Sequence, residues 1–311
     1  MCRTTRCSPD RPTEGHALRI KPRTFLAHRA VRLAEKWLDR TLLPIDFPPA
    51  REGPRYGFGR PPHARLKAIL GRDHAAYSRS LESVRAYRAD LARIELHAAA
   101  PADPFWFNKW LPSLDAAALY AFLRDRDPRL YIEVGSGMST LFARRAVDDG
   151  HLRTRICSID PAPREPAARR AAHETVDQPL EVADLSLFDA LGPGDVVFLD
   201  GSHRVLTQSD ATVFLLEVLP DLPDGVLVGV HDILWPDDYL PEWTEYHWSE
   251  QYLVAAHLLA EGHNTRLELA AHYAGRHADL TGVLDPLWDE IALPADARRG
   301  FGLWLTTTNR A

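Results

Sequence analysis

Cysteine is scarce: the 311 residues hold three, at positions 2, 7 and 157. Three thiols cannot build the disulfide framework of a small secreted domain, and Cys2 and Cys7 lack metal-ligand spacing. Cys157 sits in the apolar run TRICSID and reads as a reduced core thiol. Long apolar runs are missing as well. No stretch approaches the roughly 18 uninterrupted apolar residues that mark a membrane span, and the start, MCRTTRCSPDRPTEG, has no apolar signal-peptide core. Neither secretion nor spanning is expected, and the expected compartment is the cytoplasm. No Lys/Arg-rich run with interleaved aromatics occurs, and a net charge of -6 gives no reason to expect a polyanionic partner. Nucleic-acid binding is therefore not expected. No internal repeat is visible.

What is present suits a globular chain with ample core, at 45% hydrophobic and 26% charged residues. In FLAHRAVRLAEKWLDRTLL, Leu26, Ala30, Leu33 and Trp37 recur at helical spacing while Arg29, Arg32, Lys36 and Arg40 line another face. Such a basic amphipathic helix suits either peripheral membrane contact or docking on a globular domain, and docking is the commoner use. The segment PIDFPPAREGPRYGFGRPP then breaks regular structure, and Tyr77, Leu81, Val84, Tyr87, Leu91 and Ile94 share one face of a further helix. Residues 1–100 read as a helical extension with a Pro/Gly-rich linker, and residues 101–311 as the main domain.

From PADPFWFNKW onward, strands alternate with helices. LYIEVGSG, TRICSIDP, LEVAD, DVVFLDGSH and GVLVGVHDI read as strands, with helices over STLFARRAVDDG, PREPAARRAAHETV and SDATVFLLEVLPDL. Continuous apolar strands between helices predict an α/β domain around a parallel sheet covered on both faces, with ligands beyond the carboxyl ends of the strands. Gly135 and Gly137 permit a tight turn and close approach of backbone to a ligand, with Ser136 and Ser139 in the same turn. A dinucleotide fingerprint needs a third glycine where Thr140 stands, which disfavours NAD or FAD. Glu133 beside the turn would repel a pyrophosphate but suit a sulfonium and an ammonium, a structural ion pair being the alternative. Asp160 ends the second strand, placed to accept both hydroxyls of a ribose; Asp184 ends the third, near where an adenine would lie. Asp200, His203, His231 and Asp232 end the fourth and fifth strands, so parallel neighbours would bring them to one rim. There they suit general-base chemistry, with His203 the expected proton acceptor, or a divalent ion. His203 could also simply cap its turn.

With these residues in place, the chain resembles the class I S-adenosylmethionine-dependent methyltransferases from about FWFNKWLPSLD to its end. YIEVGSGMST is similar to their first motif, SIDP to their ribose-binding acid, and LFDALGPGDVVFLDGSHR to their fourth-strand region. TRLELAAHYA and GFGLWLTTT are similar to their final antiparallel pair. GSGMST, LDGSHR and HDILWPDDYLPEW look most like bacterial members grouped with cephalosporin-hydroxylase-like proteins and sugar O-methyltransferases. The resemblance implies a Rossmann-like, mostly parallel seven-stranded sheet with helices on both faces. It implies S-adenosylmethionine held by Glu133, Gly135, Ser136, Gly137, Ser139, Asp160, Asp184 and Asp200. It also implies methylation of a hydroxyl on a sugar, a glycan precursor or another small metabolite, with His203, His231 and Asp232 catalytic. Metal-dependent relatives hold an ion with acids after strands four and five; Asp200 and Asp232 fit, while His231 stands where an acid is usual, leaving a metal at Asp200, His231 and Asp232 open. A non-catalytic cofactor- or glycan-binding module and an NAD-dependent oxidoreductase remain the rival readings, and homo-oligomerisation is open. Aromatics from Trp235 to Tyr252, with Trp106 and Trp110, would stack on an acceptor or close the core.

Overall fold

A computed structural model describes residues 30–37, 42, 53–260 and 265–308. Cys2, Cys7, His263 and the flanks of the basic helix lie outside the described residues. By compactness the chain divides between Glu52 and Gly53, not near residue 100. In the first unit, residues 30–37 are helical, as their spacing predicts. The second unit, Gly53–Ala311, includes the helices α1 (Ala64–Gly71) and α2 (His74–Ala86). They belong there because Leu66, Leu70, Tyr77, Leu81 and Val84 are buried in the same core as the sheet, and Ser80 donates to the Glu268 carbonyl.

The main structure is a seven-stranded sheet in the order β3-β2-β1-β4-β5-β7-β6. Its strands are β1 (Leu130–Val134), β2 (Arg155–Ile159), β3 (Glu174–Val176), β4 (Val196–Leu199), β5 (Leu227–Val230), β6 (Thr265–Ala270) and β7 (Leu303–Thr307). The first five pair in parallel; β7 runs antiparallel to both β5 and β6. Every residue of β4 and β5 is buried, which needs cover on both faces and explains why these strands read as unbroken apolar runs. Phe198 of β4 stacks on Trp304 of β7, with ring centroids 5.3 Å apart, and Cys157 is a buried free thiol as expected.

Helix α3 (Ser113–Arg126) precedes β1, and α4 (Met138–Gly150) follows it. Positions 113 to 123 of α3 are all buried, so it carries no amphipathic stripe. Alanines at 116, 117, 118 and 121 permit close helix packing, while Asp115 in the first turn and Arg124 and Arg126 in the last match the helix dipole. The third strand differs from expectation. Residues 180–182 of LEVAD form a 3₁₀ turn, and β3 lies upstream at Glu174–Val176, inside the stretch read as helix. The short helix Ala168–Ala171 ends before His173, whose backbone N–H donates to Ile156 while its Nδ1 accepts from the Ile156 N–H. Pairing with β2 outweighs the helix propensity of the alanine-rich run.

Among the described residues, no helix is long and apolar enough to cross a membrane.

Candidate functional site

The ladder continues one residue past the strands and sets the site in a row. Asp160 N–H donates to Val176 (3.1 Å), Gly135 N–H to Ile159 (3.0 Å), Asp200 N–H to Val134 (2.8 Å) and His231 N–H to Leu199 (2.9 Å). The strand order reverses between β1 and β4, the switch point at which open α/β sheets bind ligands. A cavity of about 330 Å³ opens there, lined by Gly135, Ser136, Gly137, Ser139, Asp160 and Asp200. Gly135 has φ +83°, and a Cβ on it would lie 1.9 Å from the Asp200 carbonyl oxygen. A Cβ on Gly137 would meet nothing within 4 Å, so a side chain there would intrude on open space. Asp160 shapes the floor: Oδ2 accepts from Ser136 N–H (2.8 Å) and Oγ (3.2 Å), and Oδ1 from Ala162 N–H (2.7 Å).

Two expected cofactor residues have other tasks. Glu133 is fully buried beneath the turn and does not line the cavity. Its carboxylate accepts from Tyr131 Oη (3.0 Å), Ser139 Oγ (3.1 Å) and Thr140 Oγ1, and so fastens the start of α4. Burial pushes Glu133 up to about 7 against those three hydroxyl donors. Asp184 is exposed and caps the turn Leu185–Ala190 by accepting from Ser186 N–H (3.0 Å). The shift of the third strand carries it off the cavity, whose wall there is Leu180 and Glu181. Sequence reasoning missed Glu181 and Asp210. Asp210 accepts from Ser202 N–H (2.6 Å) and Oγ (2.5 Å), holding the turn after β4, and its own N–H donates to Glu181 (3.0 Å).

A second cavity, of about 950 Å³, adjoins the first; Trp110, Arg164, Asp200, Gly201 and Ser202 line both. Trp106, Trp243, Tyr246 and Trp248 form its aromatic wall, and His203 and Asp232 stand beside Asp200 at the junction. Of the other expected aromatics, Trp235 and Tyr239 are buried. The acid and imidazole residues do converge, as expected. His203 Nε2 lies 3.3 Å from Asp232 and 3.4 Å from Asp200, and Nδ1 lies 3.0 Å from Glu250. His231 Nε2 lies 3.3 Å from Asp115; its Nδ1 is 3.3 Å from Asp200 but without an aligned hydrogen bond. Asp115 also accepts from Phe301 and Gly302 N–H, tying α3 to the approach of β7. Both His203 (φ +58°) and Asp232 (φ +54°) adopt the left-handed conformation, a strain that recurs at functional sites.

Residues 132–233 match the family described as a methyltransferase domain, about a third of the chain and the segment from β1 to just past Asp232. These residues form a methyltransferase domain. A comparison with curated proteins finds no match. Among solved structures, the chain is similar to an O-methyltransferase from Bacillus cereus in complex with SAH, at 13% identity and TM-score 0.39, covering 78% of this chain and 100% of that one. A SAH-bound methyltransferase from Podospora anserina gives 15% identity and TM-score 0.39, over 86% and 99% of the two chains. A putative O-methyltransferase from Klebsiella pneumoniae gives 12% and 0.38, over 80% and 99%.

Of the residues shared by the two cavities, Arg164, Asp200, Gly201 and Ser202 lie within this matched segment and Trp110 lies before it. The electrostatics there revise the expected roles. Burial opposes charge on His203, but Asp232, Asp200 and Glu250 more than offset it and push the ring up to about 10. At neutral pH both ring nitrogens already carry protons, so in this state His203 is a donor rather than the expected base. His231, likewise buried, is held well above its ordinary value by Asp232 and Asp200. Burial works against the charge of Asp200, yet His231 and His203 hold its carboxyl well below the usual range; burial pushes Asp232 up. The metal reading does not fit. Among the described residues no group of three or more His, Cys, Asp or Glu side chains could hold an ion, because Asp200, His231 and Asp232 are directed at one another and at His203.

Proposed function

We propose that the methyltransferase domain transfers a methyl group from S-adenosylmethionine to a hydroxyl of a small molecule or glycan precursor, a sugar being the class expected from the sequence. The observation that carries this reading is the meeting of two cavities at Asp200–Ser202, one shaped by the glycine turn and one walled by aromatics. The first fits the cofactor by its own chemistry: open space over Gly137, a backbone turn closed by Gly135, and the Asp160 carboxylate facing in. When bound, S-adenosylmethionine supplies an electrophilic methyl on a sulfonium. Asp160 would accept from its ribose hydroxyls, and Asp200, held ionised, would lie near the cationic end. Glu133 acts beneath the turn, by fixing Ser139 and Thr140, rather than by touching the ligand.

At the acceptor side, Asp232 takes the hydroxyl proton on its carboxylate. Its raised pKa makes it a better base than Asp200, and it lines the acceptor cavity. The charged ring of His203, 3.3 Å from Asp232, stabilises the developing alkoxide. His231 and Asp115 lie behind this pair and hold it in place. The compartment remains the expected cytoplasm. Calorimetric titration with S-adenosylmethionine, S-adenosylhomocysteine and NAD tests the reading. Binding of both adenosyl ligands and not of NAD is expected, followed by transfer of labelled methyl to a hydroxyl acceptor; binding of NAD alone would overturn it.

A further inference from the structure

We infer that the acceptor is a small hydroxylated ring bearing a negative charge, and that Arg204 docks that charge. The inference rests on the methyl-transfer reading of the same cavity. Lys109, Arg164, Arg204 and Arg299 all line the acceptor cavity, and none has a carboxylate within 4.0 Å among the described residues. The acids lining it are Asp200 and Asp232, which face imidazoles, and the exposed Glu242 and Asp296. Outside the buried cluster, four cations therefore face two carboxylates. Such an excess in a concave, partly apolar site concentrates an anion.

Arg164 stacks over Trp110, with its Cζ 4.4 Å from the ring centroid, but Arg204 differs from the other three in being fixed to the wall by side-chain hydrogen bonds. It is half-buried; its Nε donates to the Tyr246 carbonyl (3.1 Å) and its Nη1 to the Ser202 carbonyl (3.4 Å). Nη2 makes no hydrogen bond to a described residue. A guanidinium pinned by two carbonyls, with one edge unspent, is preorganised for a planar anion such as a carboxylate. The same residues supply the ring site. Tyr246, whose carbonyl holds Arg204, is half exposed and lies 5.2 Å from Trp248, and Trp248 lies 4.7 Å from His203. An aromatic face, a fixed cation and the proton acceptor Asp232 with its charged partner His203 therefore stand side by side, so a ring stacked on the wall could present its hydroxyl to Asp232 while its charge meets Arg204.

The test is tryptophan fluorescence of the full chain loaded with S-adenosylhomocysteine, titrated with 4-hydroxybenzoate and glucuronate, and with their neutral counterparts methyl 4-hydroxybenzoate and glucose. At least one anion should bind about tenfold or more tightly than its neutral counterpart, equivalent to about 1.4 kcal/mol. Which anion wins separates an aryl from a sugar acceptor. In Arg204→Met the preference should fall to about twofold or less, and in Arg79→Met, on the exposed face of α2, it should persist. Equal binding of anion and neutral ligand, no binding of either anion, or a preference that survives Arg204→Met would overturn the inference while S-adenosylhomocysteine still binds. Failure of the unsubstituted chain to bind S-adenosylhomocysteine would instead remove the methyl-transfer reading beneath it.

Discussion

Glu250→Gln isolates one of the three carboxylates that, with Asp232 and Asp200, keep His203 charged. The carboxylate accepts the Nδ1 proton at 3.0 Å from a position that is 1% exposed, and an amide oxygen of the same shape would keep the hydrogen bond while losing the charge. Replacing a charged acceptor by a neutral one forfeits about 1–2 kcal/mol, so the His203 pKa should drop by about one from its value near 10. Because the folded value exceeds the ordinary 6.5, protonation of His203 stabilises the fold fully below 6.5, and the contribution is lost as pH rises through about 10. In the variant that loss is complete about one pH unit earlier. The pH-dependent advantage of the native chain should therefore stay level up to about pH 9 and close between about 9 and about 10. Any pH-independent offset from removing a buried carboxylate adds to both ends and leaves the shape unchanged. Nitrogen-15 NMR titration of the imidazoles, together with urea midpoints from pH 6 to 10.5, reads both quantities. A His203 midpoint that stays near 10 or rises in the variant would refute the argument that Glu250 carries part of that charge.

Gly135→Ala must place a Cβ 1.9 Å from the Asp200 carbonyl at φ +83°, at a cost of about 2–5 kcal/mol; a lowered melting temperature and lost S-adenosylhomocysteine binding are expected. Asp160→Ala frees Ser136 and removes the proposed ribose acceptor, and should weaken S-adenosylhomocysteine by about 10- to 100-fold in calorimetry; unchanged affinity would remove that assignment. Asp232→Asn should keep S-adenosylhomocysteine affinity, since Asp232 does not line the first cavity, yet slow methyl transfer by about 100-fold or more. Native-like turnover would show that the proton leaves by another route.

Local pattern made much of the sheet legible. Val196–Leu199, Leu227–Val230 and, apart from Glu133, Leu130–Val134 are apolar because helices cover both faces, and a glycine pair after β1 can only mark a tight turn. The third strand was misplaced because β3 has three residues, none fully buried, and so little hydrophobic signal. Glu133 and Asp184 are acids at plausible positions along the chain, but whether a side chain faces a cavity or a hydroxyl depends on the pleat and on the exact end of a strand. Asp115 and Glu250 gave no sequence signal, since each reaches the imidazoles from a separate helix.

The sequence alone determined the alternation of strand and helix, the glycine turn, and the presence of acids and histidines at the ends of β4 and β5. It did so because burial periodicity and glycine's conformational freedom are local properties. Tertiary structure decided which of those acids meet a ligand and which atoms hold protons. Ladder register brings Asp160, Gly135, Asp200 and His231 into one row, and four carboxylates from distant segments meet two buried imidazoles, where burial and charge together turn an expected base into a cation.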